Sequence, residues 1–147
     1  MKIISPAFEN NADIPSKYTC DESGTIPELI FSDVPENAKS LVLVMHDPDA
    51  PAAGGFTHWI VFNMNPATKG IGENSQPESG MEGANSAGRT GYIPPCPPSG
   101  MHRYHFKLYA LDIMLSFDSS AKKSDIEKAM EGHILDQTEL AGVYQRQ

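Results

Sequence analysis

The stretch from Leu41 to Asn63 constrains the fold of this chain more than any other. It begins with a continuous apolar run from Leu41 to Met45. Such a run is typical of a strand that is buried on both faces, and a buried helix is the alternative that the pattern leaves open. The segment 46–51 ends the run, because its two prolines lack the N–H that a central strand donates. Gly54-Gly55 permits a reversal, and a second buried strand is predicted from Phe56 to Asn63.

Two titratable side chains mark the ends of these strands. Asp47 follows the first strand and His58 lies near the start of the second. Both therefore lie at the same end of the pair, where they form a candidate pocket mouth. The alternative is that Asp47 caps a turn and that His58 is a hydrogen-bonded core histidine. On this stretch alone, the second interpretation is favoured.

Length and charge exclude several classes of protein. The 147 residues fit one domain, predicted over residues 1–147, that is large enough to bury a core. The formal net charge of −8 argues against nucleic-acid binding and against electrostatic docking on an anionic membrane. The 12 prolines and 12 glycines favour a loop-rich, strand-dominated fold.

The cellular location is predicted from what the sequence does not contain. The N-terminal residues 1–6 show no signal-peptide core, and no stretch has the length and apolarity of a membrane span. We therefore expect a cytoplasmic protein without integral membrane association. In that reducing compartment, Cys20 and Cys96 are expected to be free thiols.

The rest of the chain predicts a mainly β protein. Further strands are expected at residues 2–4, 29–31 and 103–112, and the tail is expected to end as a strand at 142–144. A capping box of Ser124 and Glu127 predicts one helix from Asp125 to Glu131. With roughly six to eight strands and one or two short helices, the pattern favours an antiparallel β-sandwich with Greek-key connections.

A long segment without periodicity, residues 67–98, separates these strands. It is rich in glycine and ends in the stiff run Pro94-Pro95-Cys96-Pro97-Pro98. A loop of this length inside a compact domain is usually functional or disordered. Because both of its ends join strong strands, and because its prolines have little freedom to lose, we favour a functional loop.

A second pair of polar side chains starts the alternating strand after this loop. His102 and Tyr104 are two residues apart and therefore share one face of that strand. Like Asp47 and His58, they lie at a strand end beside a loop of glycine and proline. The sequence therefore predicts that these four side chains converge.

At this point the sequence resembles a known family. The segments that carry the resemblance are Asp47-Pro48-Asp49-Ala50-Pro51, His58 to Asn63, Gly91-Tyr92, Pro94 to Tyr104, Ile14 to Cys20 and Gly142-Val143-Tyr144. They are similar to the phosphatidylethanolamine-binding protein family, most closely to its bacterial and archaeal Raf kinase inhibitor-like branch. The resemblance extends over nearly the whole chain.

The resemblance implies a β-sandwich with a small anion pocket at one end. The family's pocket residues correspond to Asp47, His58, His102 and Tyr104, with Gly91 and the proline loop, including Pro95 and Pro97, as the rim. The resemblance also implies a non-enzymatic binder or regulator of the kind that inhibits a kinase or protease in some relatives. No cofactor is expected. Pro48 and the loop residue Arg89 are candidate accessory contacts.

The chemistry of these groups suits a small anion or a phosphorylated group. Two imidazoles and a phenol can all donate hydrogen bonds to an oxyanion. Asp47 would repel an anion, and three roles are open to it. It can hold a histidine in its protonated form, accept a proton from monoprotonated phosphate, or meet an ammonium group. We favour the first role, which predicts that binding tightens as the pH falls.

Two other functions are weighed against this one. Asp47, His58 and His102 form a usable ligand set for a metal, but their spacing matches no metal motif, so no metal is expected. An Asp/His pair could also serve a hydrolase acting on a small phospho-ester or acyl compound. However, no recognisable nucleophile motif is present, and Cys96 between prolines is interpreted as structural.

Neighbouring residues receive structural interpretations. Trp59 follows His58, so we expect it to face the opposite side and to lie in the core. Arg103 is predicted to pair with Asp49. The oligomeric state stays open, with a homodimer as one possibility because the edge strands of a sandwich need protection.

Overall fold

The computed structural model describes all residues from 1 to 147 and shows a mainly β protein. It contains one α-helix, α1 (Lys123–Met130), and a short 3₁₀ helix at Ser16–Tyr18. The strands are β1 (Lys2–Ile4), β2 (Ala12–Asp13), β3 (Leu29–Ser32), β4 (Ser40–Asp47), β5 (Phe56–Met64), β6 (Gly70–Ile71), β7 (Met81–Glu82), β8 (His102–Leu111) and β9 (Ile134–Tyr144). No helix is both long enough and apolar enough to span a membrane.

The strands form two sheets, which confirms the predicted β-sandwich. The small sheet has the order β1-β3-β6, and the large sheet has the order β2-β9-β8-β4-β5-β7. All pairs are antiparallel except β2 with β9. After β5 the chain visits the small sheet as β6 and then the far edge of the large sheet as β7. It returns beside β4 as β8, which is a Greek-key type of connection.

The central strands β4 and β5 are buried on both faces, as their continuous apolar runs predict. On the inner face, Leu43 and Met45 belong to a cluster with residues of the small sheet such as Phe31. On the outer face, Val44 packs in a second cluster with Ile126 of α1. The sandwich core and the helix therefore hold β4 and β5 rigidly, and the strand ends that carry Asp47 and His58 are fixed with them.

The predicted capping box is wrong in its residues. The helix begins at Lys123 rather than Asp125, and its N-cap is Lys122 rather than Ser124. The carboxylate of Asp125, not that of Glu127, accepts the N–H of Lys122 at 2.9 Å. The element itself is present because Ile126 and Met130, four residues apart, bury its apolar side.

The prediction of two free thiols is also wrong. Cys20 and Cys96 form a disulfide, with their Cα atoms 5.4 Å apart. The prediction rested on the assumed compartment, whereas the fold brings the two loops that carry these residues into contact. The long segment 67–98 contains only the short strands β6 and β7 and one isolated bridge between Ala84 and Thr90.

Candidate functional site

A cavity of about 220 Å³ opens at the end of the sandwich where β4 ends and where β5 and β8 begin. Its wall is mostly apolar, with a few polar groups among the apolar side chains. The 12 lining residues are Asp47, Ala50, Pro51, Phe56, His58, Ile93, Pro94, Cys96, Pro97, Pro98, His102 and Tyr104. The four polar residues that the sequence predicted to converge therefore do surround one cavity.

A β-bulge brings His58 to this cavity. Met45 of β4 pairs with Trp59, but the next residue, His46, pairs with Thr57, so His58 has no partner on β4. The extra residue re-aims the side chain. As a result, the His58 ring packs edge-on against the ring of Tyr104, with centroids 5.3 Å apart.

Asp47 and His102 form a buried pair. The Nδ1–H of His102 donates to Oδ2 of Asp47 at 2.7 Å, and both residues are less than a tenth exposed. The other carboxylate oxygen of Asp47 accepts the N–H of Asp49 at 2.8 Å. Because Nδ1 is engaged, the Nε2 atom of His102 is left to meet a ligand. It accepts a hydrogen bond in the neutral ring and donates one in the protonated ring.

His58 is held in a similar way by a backbone group. Its Nδ1–H donates to the carbonyl oxygen of Ile93 at 2.7 Å, and the N–H of Ile93 donates back to the carbonyl of His58 at 3.0 Å. Burial lowers the pKa of His58 below its usual value, against smaller opposing effects of the Ile93 carbonyl and of Asp47. The ring is therefore neutral at pH 7, and its Nε2 accepts hydrogen bonds.

Tyr104 contributes an unpaired hydroxyl. This hydroxyl is the only side-chain polar atom in the protein that is buried without a hydrogen-bond partner. Burial and the nearby charge of Asp47 raise the pKa of the phenol, so the group stays protonated and is a donor. Buried hydroxyls are normally paired, which makes this one a candidate ligand contact.

The other predicted site residues divide into two groups. Pro97 is buried and lines the cavity, as the predicted rim requires. The structure places Gly91, Pro95, Pro48 and Arg89 outside the cavity wall. Gly91 instead accepts a hydrogen bond from the Asn85 side chain at 3.1 Å, and Pro95 accepts the N–H of Cys20 at 3.0 Å. Pro48 and Arg89 are exposed.

Sequence reasoning missed several contributors to the wall. Phe56 contacts the His58 ring, with centroids 4.8 Å apart, and Ile93 acts through its backbone carbonyl. Phe56 could have been found, because it opens the same strand as His58. The role of Ile93 has no signature in the sequence, because any residue type carries the same carbonyl.

Two neighbouring interpretations are confirmed and one detail is wrong. Arg103 pairs with Asp49 through two side-chain contacts of 2.9 Å, and this ion pair lowers the pKa of Asp49 to about 2. Trp59 is fully buried and donates to Glu82 at 2.7 Å. It does not face away from His58, however, because Trp59 and Tyr104 belong to the same core cluster.

Comparison with known proteins gives the family. The family model described as phosphatidylethanolamine-binding protein matches residues 4–145. A UPF0098 protein of Methanothermobacter thermautotrophicus is 45% identical over 151 residues, which cover 99% of each chain. A UPF0098 protein of Chlamydia trachomatis is 45% identical over 150 residues, again with 99% of each chain covered.

Two solved structures show the same fold. The Chlamydia trachomatis homologue of phosphatidylethanolamine-binding protein superposes with a TM-score of 0.94 at 44% identity, covering 99% of this chain and 97% of that one. YbcL of E. coli, described as a new member of the mammalian PEBP family, gives 0.91 at 25% identity, covering 99% and 98%. This chain belongs to the phosphatidylethanolamine-binding protein family.

The geometry was also searched for a metal centre. No group of three or more His, Cys, Asp or Glu side chains is arranged to hold a metal ion. Asp47 and His102 bond directly to each other at 2.7 Å, and the Nδ1 atom of His58 is occupied by the carbonyl of Ile93.

Proposed function

We propose that this protein is a non-enzymatic binder of a small anion or of a phosphorylated group, which it takes into the cavity between Asp47, His58, His102 and Tyr104. One observation carries the proposal. Both imidazoles use Nδ1 for a fixed internal acceptor, so both Nε2 atoms are left for a ligand in a cavity whose wall is otherwise mostly apolar.

Monoprotonated phosphate matches these groups. Its P–OH can donate to Nε2 of the neutral His58 ring, while its other oxygens accept from Nε2–H of a protonated His102 and from the Tyr104 hydroxyl. Asp47 then has the first of the three roles considered above, because its carboxylate holds His102 at 2.7 Å and favours the doubly donating ring. We expect anion binding to tighten as the pH falls through the range in which histidine titrates.

The experiment compares two histidines on the same strand. His102 on β8 donates from Nδ1 to Asp47 at 2.7 Å, and His105 on β8 donates from Nδ1 to Glu139 at 2.9 Å, outside the cavity. Inorganic phosphate is titrated into wild type, His102→Ala and His105→Ala, and binding is followed through the histidine ring signals by NMR. Loss of a charge-assisted bond predicts a roughly tenfold or greater loss of affinity for His102→Ala. His105→Ala should bind like wild type.

The result can contradict the proposal in two ways. Equal affinities for the two variants would show that phosphate binds away from the cavity. Absence of any response to phosphate, acetate or O-phospho-amino acids at millimolar concentration would show that the cavity is not an anion site.

A hydrolase is the second candidate, and the Asp47–His102 pair favours it. A carboxylate bound to Nδ1 positions the opposite nitrogen of a histidine as a general base. The wall contains no serine or threonine, and the sulfur of Cys96 is tied in the disulfide, so only a water molecule could be the nucleophile. Steady release of nitrophenol from p-nitrophenyl phosphate or acetate, abolished by His102→Ala and kept by His105→Ala, would favour the enzyme.

Partner and location remain part of the proposal. A phosphorylated side chain is a ligand that a protein can present, so the binder would act as a regulator of the kind that inhibits a kinase or protease. Pull-down with wild type and with His102→Ala tests this, because a partner held through the cavity is lost only from the variant. The cytoplasmic location and the homodimer stay predictions, which fractionation and light scattering can test.

A further inference from the structure

A short segment of the chain, residues 18–24, packs against one wall of the cavity. We call it the strap, and we call residues 93–98 the rim. The N–H of Cys20 donates to the carbonyl of Pro95 at 3.0 Å, and the two cysteines are joined by the disulfide. The packing is close, because a Cβ added at Gly24 would lie 2.7 Å from Cγ of Pro94.

The strap is itself firmly attached to the rest of the protein. Thr19 is fully buried, and its hydroxyl donates to the carbonyl of Ser16 at 2.8 Å. The hydroxyl of Tyr144, at the end of β9, donates to the carboxylate of Asp21. The disulfide therefore connects the rim to a fixed part of the fold.

The far half of the rim has no other polar attachment. Ile93 and Pro95 make backbone hydrogen bonds, but no hydrogen bond involves any residue from 96 to 101. Prolines at 97 and 98 cannot donate one at all. The Cys96 sulfur is thus the only covalent or hydrogen-bonded connection between this part of the rim and the fold, in a stretch that leads directly into His102.

The same segment forms a large part of the cavity. Five of the 12 lining residues belong to the rim, namely Ile93, Pro94, Cys96, Pro97 and Pro98. Both cysteine residues are exposed, so a thiol from solution can approach the bond. The state of one exposed bond therefore bears on the wall of the candidate site.

We propose that the Cys20–Cys96 disulfide is a site of reversible thiol–disulfide exchange with a dithiol reductant, and that its state controls the order of the cavity rim. Where the proposed function holds, on which this part rests, it also controls anion affinity. The bridged protein has a preformed wall. The reduced protein must order residues 96–101 when it binds, so its affinity is lower.

The exchange balances with the dithiol as the only co-reactant. A thiolate of the dithiol attacks one sulfur of the bridge, the S–S bond breaks, and the other sulfur leaves as a thiolate that takes up a proton. The second thiol of the reductant, after losing its proton, displaces the mixed disulfide. Two electrons pass to the protein, which ends with two thiols, and the reductant ends as a disulfide.

The test uses the full chain in both redox states. Oxidised protein, protein reduced with dithiothreitol and the double variant Cys20→Ser/Cys96→Ser are compared by ¹⁵N relaxation at the amides of residues 96 and 99–101. We expect order parameters near about 0.85 in the oxidised protein and below about 0.6 in the reduced protein. The double variant should match the reduced protein and ignore dithiothreitol, and the amides around His105 should not change.

Phosphate titration of the same samples gives the second readout. We expect the dissociation constant to rise about fivefold to tenfold on reduction and to return on reoxidation. Phosphate that binds equally well to both states would overturn control of affinity while leaving the proposed function intact. If phosphate binds to neither state, the proposed function fails, and the relaxation data alone uphold or overturn control of the rim.

Three results would overturn the redox proposal directly. Order parameters of the rim could be the same in both states. The bridge could resist dithiothreitol unless the protein is first denatured. The reduced protein could lose its tertiary structure, which near-ultraviolet circular dichroism of Trp59 would show, and the bond would then be a structural staple rather than a controlling site.

Discussion

The unpaired hydroxyl of Tyr104 allows a sharp test of whether the cavity was built for a ligand. The side chain is fully buried, and its oxygen has no hydrogen-bond partner. An unpaired buried polar group costs about 1–3 kcal/mol. Replacing Tyr104 with phenylalanine removes that cost, keeps the ring that packs against His58, and leaves a void worth a few tenths of a kcal/mol. We therefore expect Tyr104→Phe to be more stable than wild type by about 0.5–2 kcal/mol.

The same substitution should weaken ligand binding. The hydroxyl is a donor that an anion in the cavity would use, and a hydrogen bond to a charged group contributes about 1.5–3 kcal/mol, or roughly tenfold or more in affinity. A structural role would lower stability and leave phosphate binding unchanged. A binding role predicts the opposite for both quantities, so the two explanations are separated by the signs of the changes.

Urea denaturation followed by the fluorescence of Trp59 measures the first quantity, and phosphate titration measures the second. Tyr109→Phe is the matched control, because Tyr109 lies on the same strand, half-buried on the outer face. Its stability should stay within about 0.5 kcal/mol of wild type. Destabilisation of Tyr104→Phe beyond that range, or unchanged phosphate affinity, would refute the reasoning.

Three further outcomes concern stability, each measured by urea denaturation. The free energy of unfolding should fall from about pH 7 to about pH 5, because burial lowers the pKa of His58 and the unfolded chain, with a histidine pKa near 6.5, takes up the proton first; His58→Gln should flatten this slope. Gly142→Ala should cost about 1–3 kcal/mol, since its Cβ would lie 2.5 Å from Cγ1 of Ile14, and Gly72→Ala, facing only a serine hydroxyl at 3.2 Å, should cost much less. Arg103→Ala should cost less than about 1 kcal/mol, because its guanidinium is 58% exposed.

The sequence predicts the central strands because their signal is local. The apolar run of β4 and the alternation of β8 follow from which faces are buried, and both are legible residue by residue. The ion pair of Arg103 with Asp49 was also predicted, since both residues flank strand ends that meet. The strands that were not predicted, β2, β6 and β7, have two residues each, too few to show any period.

The position of His58 depends on a feature that the sequence does not display. Strict alternation places His58 on the same face as Ile60, which packs in the outer cluster with α1. The bulge opposite Met45 and His46 shifts it to the cavity side. The prediction that His58 joins Asp47 rested on their shared strand end, and the face was set by the register of β5 against β4, which only the folded sheet defines.

The disulfide lay outside sequence prediction for a related reason. Cys20 and Cys96 are 76 residues apart, and pairing depends on whether two loops meet in space. Each loop is irregular, so neither strand periodicity nor helix signals fix its path. The expectation of free thiols followed the assumed compartment instead.

The size of the protein indicates that this bridge is not what holds the fold together. Closing a loop of 76 residues stabilises a protein by about 4.5 kcal/mol in the chain-entropy account. A chain of 147 residues typically has about 7–22 kcal/mol of stability, and here the core on both faces of β4 and β5 is independent of the bridge. Reduction should therefore leave the sandwich folded and act on the one segment that has no other polar attachment, residues 96–101. A stability loss close to the total would instead mean that the bridge supports the whole fold.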